Sequence, residues 1–264
     1  MKKIESLNLG QRLYTTLLLA IVALVSVTAL TVAWFSIASR TNVYNFDLYV
    51  TAGPSLRIDL DAHSEFDQYS QTLSFDQIAN RVSSVYGYDM RTVPIKPVTT
   101  RDAKTFTFQN GTVVETAEGA YWECPLHFMA SDDMIVHLSA ENSPGKEDGT
   151  LVSSSISDLP YSMRICFETD GQTMVYSPRN TNFLPNDVIF RKIYLQFNNN
   201  QVYNEGSLLF HLKGNQDKLV TLRVWMEGTD EACTDELKSA DFSIRLRFEG
   251  TDEEGNRITL RRRY

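Results

Sequence analysis

From Leu13 to Ile37 the chain reads LYTTLLLAIVALVSVTALTVAWFSI without one charged side chain. No other stretch constrains the fold so tightly. A helix rising about 1.5 Å per residue over this run is longer than a hydrocarbon core of about 30 Å, which predicts a membrane-spanning or export helix. A core helix of a globular domain would carry a polar face, and this one has none. Lys2, Lys3 and Arg12 precede it against a single acid, Glu5. That bias predicts a cytoplasmic start and an exported remainder. Three parts follow: a basic cytoplasmic region over residues 1–12, a signal peptide or transmembrane helix over 13–37, and an extracellular domain over 38–264. Two readings of the middle part stay open, an uncleaved anchor or a signal peptide removed by signal peptidase. Thr31-Val32-Ala33 offers the small residues a peptidase needs, so Ala33 and Trp34 flank the first cleavage candidate; Ser36-Ile37-Ala38 is the second.

The charge balance sharpens once the segment is set apart. The whole chain has 25 basic and 33 acidic residues, a net charge of −8. Three of those bases and one acid lie before Trp34, leaving 22 and 32, a net charge of −10. An acidic exported domain argues against nucleic acid as a partner, since phosphate contacts call for the opposite sign.

After Arg40 the hydrophobic period changes to two. Short β-branched and aromatic segments recur between turn signals: Val43–Val50, Ser55–Asp61, Lys104–Phe108, Thr112–Glu115, Met134–Leu138, Met163–Glu168, Val188–Phe197, Ser207–Lys213, Lys218–Met226 and Asp241–Phe248. In the last, Phe242, Ile244, Leu246 and Phe248 alternate with Ser243, Arg245 and Arg247, the pattern of a half-buried antiparallel strand. Asn110-Gly111 between alternating runs predicts a tight hairpin, because both residues tolerate positive φ. Asn110-Gly111-Thr112 is also a glycosylation sequon, which the turn accounts for without a sugar. Ser74 and Gln77 form a capping-box pair with Leu73 and Ile78 placed as a staple, so Ser74–Val82 is expected to be helical. Thr229–Ala240 is a second helix candidate, and the polar stretch Ser139–Leu159 reads as a long exposed loop. The sum is an all-β chain: an antiparallel β-sandwich, with a jelly roll as the favoured form, behind an N-terminal hydrophobic helix.

Motifs for catalysis are missing: there is no Gly-rich phosphate loop, no GxSxG and no HExxH. Ser143-Pro-Gly-Lys146 matches a bare SxxK but sits in a Pro/Gly loop where a helix is required. Cys124, His127 and His137, with Asp132 or Asp133, supply metal-ligand chemistry on paper, yet Cys124 and His127 flank Pro125 in the apolar WECPLHF and His137 alternates within Ile135–Leu138, which reads more simply as packed sheet residues. Glu227-Gly-Thr-Asp-Glu231 recurs as Glu249-Gly-Thr-Asp-Glu253, each after a strong strand. Carboxylates at adjacent strand ends suit Ca²⁺, but solvated turns explain the repeat more simply. No cofactor is expected, and the chain is not expected to be an enzyme. Cys124, Cys166 and Cys233 allow one disulfide in three pairings, or none.

Two blocks carry a family resemblance. Ala33-Trp34-Phe35-Ser36, followed by Phe46-Asp-Leu-Tyr-Val-Thr-Ala-Gly53 and Leu56-Arg-Ile-Asp-Leu60, resembles the SipW-processed TasA and camelysin group of Gram-positive bacteria. Trp225, Glu227, Gly228, Asp230 and Cys233, spaced W-x-E-G-x-D-x-x-C before Phe242–Phe248, are similar to a block in TasA-like surface proteins of clostridia. Here Pro54 and Ser55 lengthen the Gly-to-Leu spacing, and the cysteines are not a general feature of the group. The resemblance implies an extracellular jelly-roll protein that assembles into biofilm-matrix fibres by donating an N-terminal strand, with Val43–Val50 as the donor. Its partners would be copies of itself and other surface proteins, besides the peptidase, or the membrane through residues 13–37 if these stay attached. A second reading is a membrane-anchored extracellular module that binds carbohydrate or protein, for which the twelve tyrosines and three tryptophans are raw material. A pilin-like subunit is a third, since Gly10 precedes the apolar run, but Thr15 stands where an acid is needed.

Overall fold

A computed structural model describes residues 14–26, 42–50 (as backbone), 55–115, 120–142, 145–179, 189–195, 202–234, 237 and 240–258. The chain divides into two compact units, residues 1–38 and 39–264. In the first, residues 14–26 form a helix, α1, whose side chains are all exposed. No described helix is long and apolar enough to cross a membrane. The rest of the 13–37 span, including Ala33 and Trp34, lies outside the described residues.

The second unit is built on strands. In chain order they are β1 (Asn42–Val50), β2 (Leu56–Asp59), β3 (Thr72–Leu73), β4 (Pro97–Thr100), β5 (Phe106–Thr107), β6 (Trp122–Ala130) and β7 (Met134–Leu138). They continue with β8 (Leu151–Ser154), β9 (Met163–Thr169), β10 (Gln172–Tyr176), β11 (Arg191–Ile193), β12 (Leu208–Leu212), β13 (Lys218–Glu227) and β14 (Asp241–Thr251). Two short helices, α2 (Phe75–Tyr86) and α3 (Leu159–Ser162), interrupt them. Ser74 caps α2 through the anticipated capping box with Gln77, and Leu73 and Ile78 are both buried beside it.

Two sheets result. One runs β12-β7-β14-β1-β3, with β8 also on β14; the other runs β11-β10-β9-β13-β4-β5, with β6 on β13 and β2 on β6. Their facing sides share one core. Phe242, Ile244, Leu246 and Phe248 of β14 meet Val220, Leu222, Val224 and Met226 of β13 and the inward residues of β6. Trp122 stacks on Phe242 at 5.5 Å, and Phe128 meets Phe248 edge-on at 5.0 Å, so aromatic pairs bridge the sheets. A smaller cluster around Trp225, Phe106 and Tyr121 covers the other side of β13.

Several expectations need correction. The ladders are mostly antiparallel, but β1–β14, β4–β13 and β10–β11 are parallel. Alternation along one strand reports which side is buried and is silent about neighbour direction. β6 was hidden by Pro125; β2 pairs only with His127–Ala130, so the proline sits where the missing N–H is not needed on that side. The Asn110-Gly111 hairpin is a three-residue loop: Gly111 N–H donates to Phe108 O (2.8 Å), Phe108 N–H donates to Thr112 O (2.9 Å), and only Gly111 has positive φ. Thr112–Glu115 contributes one bridge at Val113, not a strand, and among the described residues of Val188–Phe197 the strand is β11. Described residues of Thr229–Ala240 make turns, not an α-helix.

The largest correction concerns Ser139–Leu159. It holds β8, which pairs with Phe242–Arg245, and Ser139, Glu141, Asp148 and Thr150 are all buried. Polar composition suggested solvent; these side chains instead meet a charged strand face. Residues 139–142 and 145–150 form the two arms of a strap over the outer side of β14.

Candidate functional site

β14 is the organising strand of its sheet. On one edge it pairs with β8 and β7, and on the other with β1 in parallel, from Asn42↔Asp241 to Val50↔Phe248. β3 touches only the far end of β1, at Leu48 and Tyr49, while α2 and β2 also lie against it. A parallel pair cannot close through a hairpin, so β1 joins β14 as a segment arriving from the other end of the chain. Its link to β2 is residues 51–55, which include Gly53-Pro54.

The outer face of β14 carries buried charges. Arg247 is 3% exposed and Glu249 5%, against the solvent-facing role that the alternation suggested for Arg247. Arg247 Nη1 donates to Asp148 Oδ1 (2.6 Å) and Nη2 to Glu249 Oε2 (3.0 Å). Arg257 contacts Glu141 and reaches toward Glu249 Oε1 at 3.7 Å. The strap is bonded into the same face: Ser139 N–H donates to Arg247 O (3.0 Å) and Arg247 N–H to Thr150 Oγ1 (2.9 Å). His137 stands opposite Glu249 in the β7–β14 register, with Nδ1 3.1 Å from Ser207 Oγ and Nε2 3.1 Å from Thr251 Oγ1. Tyr203 OH and Ser139 Oγ share a 2.8 Å hydrogen bond at the rim. Sequence reading missed this cluster. Its one trace was the alternation Arg245, Arg247, Glu249 along a single strand face.

The W-x-E-G-x-D-x-x-C block is a packed turn. Trp225 is fully buried and its Nε1 donates to Glu227 Oε2 (3.1 Å), while Glu227 Oε1 accepts from Thr229 Oγ1 (2.7 Å). Gly228 N–H donates to Val98 O (2.8 Å), and Gly228 O accepts from Gln109 Nε2 (2.6 Å). Asp230 Oδ2 accepts from Arg164 Nη2 (2.5 Å), and Arg164 is wholly buried. Asp230 O accepts from Cys233 N–H (2.9 Å). The two Glu-Gly-Thr-Asp-Glu copies therefore differ in kind: the first ends β13, whereas Glu249 is inside β14 and in the other sheet. They do not form one cluster of strand-end carboxylates.

No disulfide joins Cys124, Cys166 and Cys233. Cys124 faces the main core and Cys166 the opposite side of the same sheet. Burial pushes both thiols up to about 12, which makes them inert packing groups. Cys124, His127 and His137 do not converge: His127 points away from the core, with Nδ1 2.9 Å from Asp217 Oδ2, and His137 belongs to the other sheet. Tyr69 OH donates to the same Asp217 (2.7 Å). Among the described residues no three His, Cys, Asp or Glu side chains come together as a metal centre requires.

A polar trough opens between β12 and the β9–β10 turn. Two adjoining clefts of about 510 and 340 Å³ share Thr169, Asp170 and His211. Asp217 and Lys218 line the first, Arg191 and Glu205 the second. Lys218 Nζ bonds Asp170 across the trough at 2.5 Å. No protein-family model, curated protein or solved structure matches this chain.

Proposed function

We propose that the protein is an exported, non-enzymatic structural component of the cell surface or biofilm matrix that assembles into fibres by exchanging its N-terminal strand. The β1–β14 ladder is the observation that carries this reading. β1 is the first strand of the sandwich, pairs in parallel with β14, and is linked along the chain to β2 by residues 51–55. The same segment of a neighbouring copy meets the same edge of β14 equally well, since backbone hydrogen bonds carry the recognition. A head-to-tail exchange of this kind propagates into a filament. Withdrawing β1 without replacement opens the edge of β14, and each lost backbone bond costs about 0.5–1.5 kcal/mol, which favours refilling the slot. The sandwich is taken as a jelly roll, and residues 13–37 as the hydrophobic export helix removed between Ala33 and Trp34. The Trp225–Cys233 turn serves as a structural element.

The test is N-terminal sequencing of protein extracted from the cell surface, then negative-stain microscopy of the mature form. A start at Trp34 with filaments agrees; an intact Met1 that requires detergent, with monomers at every pH and salt, rejects it. In that case the polar trough beside β12 favours the second reading, an anchored module for carbohydrate or protein.

A further inference from the structure

Glu249 lies in a cluster of three buried carboxylates and two guanidiniums. Arg247 gives Nη1 to Asp148 (2.6 Å) and both Nη2 (3.0 Å) and Nε (3.3 Å) to Glu249, while Arg257 contacts Glu141 and stands 3.7 Å from Glu249. Asp148 and Glu141 belong to the two arms of the strap, whereas Glu249 belongs to the strand beneath them. Ionised Glu249 therefore sets three carboxylates against two guanidiniums and repels both arm carboxylates across a desolvated space. Protonated Glu249 leaves Arg247 to Asp148 and Arg257 to Glu141. The other groups facing it are His137 across the ladder and Tyr203 at the rim, and neither brings a positive charge at neutral pH.

We propose that Glu249 is a proton-operated latch: with its proton on, residues 139–142 and 145–150 are held against β14, and with its proton off they loosen. Burial holds this carboxyl up at about 7, against the pull of Arg247 and with Asp148 adding to the rise. The latch acts at the pH where most carboxyls have long been ionised. It is independent of the fibre reading, since it concerns the strap and not β1.

Native-state hydrogen exchange on the intact protein tests it, with rates corrected for intrinsic chemistry. The amides of Gly149 and Thr150, bonded to Asn142 Oδ1 and Ser139 O, should lose protection on the order of tenfold between about pH 5.5 and about pH 8.5, relative to β13 amides such as Leu222. Glu249→Gln, which keeps the neutral shape, should remove that dependence. A ¹³C titration of the Glu249 carboxyl in the unaltered protein should track the same midpoint, and it decides the matter should the variant fail to fold. Equal changes in strap and β13 amides, unchanged strap protection, or an ordinary carboxylate midpoint for Glu249 would each overturn the latch.

Discussion

Replacing His137 by Gln should change how the protein responds to acid, and the direction is opposite to intuition. His137 is 2% exposed, and burial, with His211 adding, pushes its imidazole down to about 4. In the unfolded chain it returns to about 6.5, so the unfolded state binds more protons between these values. Its contribution is full above about pH 6.5 and is lost as pH falls toward 4. Glu249 runs the other way. Its native carboxyl sits at about 7, so its contribution is full below the unfolded value of about 4.3 and is lost as pH rises through 7. Each displacement spans about 2.5 units, at most about 3 kcal/mol. Between about pH 7 and about pH 4.5 the two slopes oppose each other and cancel to within about 1 kcal/mol. Glu168 and Asp102 are held below the usual carboxylate range despite partial burial, by Lys104 and Arg223 and by the backbone of Thr105 and Lys104 respectively. Their stability is lost only at lower pH. His137→Gln keeps a donor and an acceptor for Ser207 and Thr251 but removes one slope. The variant should gain about 2 kcal/mol on acidification from about pH 7 to about pH 4.5, while the parent stays nearly level. Urea unfolding followed by the fluorescence of buried Trp122 and Trp225 reads this directly. A variant as level as the parent, or one that weakens in acid, would refute the linkage.

Asp230→Asn should cost about 3 kcal/mol at neutral pH in the same urea assay, because it takes the carboxylate from Arg164, which has no exposure. Gly149→Ala should destabilise by about 1–3 kcal/mol and loosen the strap, since an added Cβ would stand 2.2 Å from Ala140 O; thermal unfolding and exchange at Thr150 both report it.

How much of the fold was legible depended on distance along the chain. α2 was readable because its cap, staple and apolar stripe all lie within a few residues of one another. Phe242–Phe248 was readable because a strand with one face in the core repeats every second residue. β6 was not, since Pro125 within WECPLHF argues against a strand until one knows that β2 stops short of it. β8 was lost in the serine-rich stretch for a related reason: its outward residues include Ser153, whose hydroxyl bonds Ser243 at 2.8 Å on the neighbouring strand. The Glu-Gly-Thr-Asp-Glu repeat misled in a different way. Identical residues took different roles because β13 stops at Glu227 while β14 runs on to Thr251.

By itself the sequence determined the local quantities: a charge-free apolar run at residues 13–37, an acidic remainder, a two-residue period and a well-capped helix. Each follows from neighbours in the chain, so no tertiary knowledge enters. Only the tertiary structure decided that β1 lies parallel to β14 from the opposite end of the domain, and that the strap covers Arg247 and Glu249. Burial of a charged face depends on which distant segment folds over it. That single fact turns an outward-facing pair of charges into a buried cluster in which one proton counts.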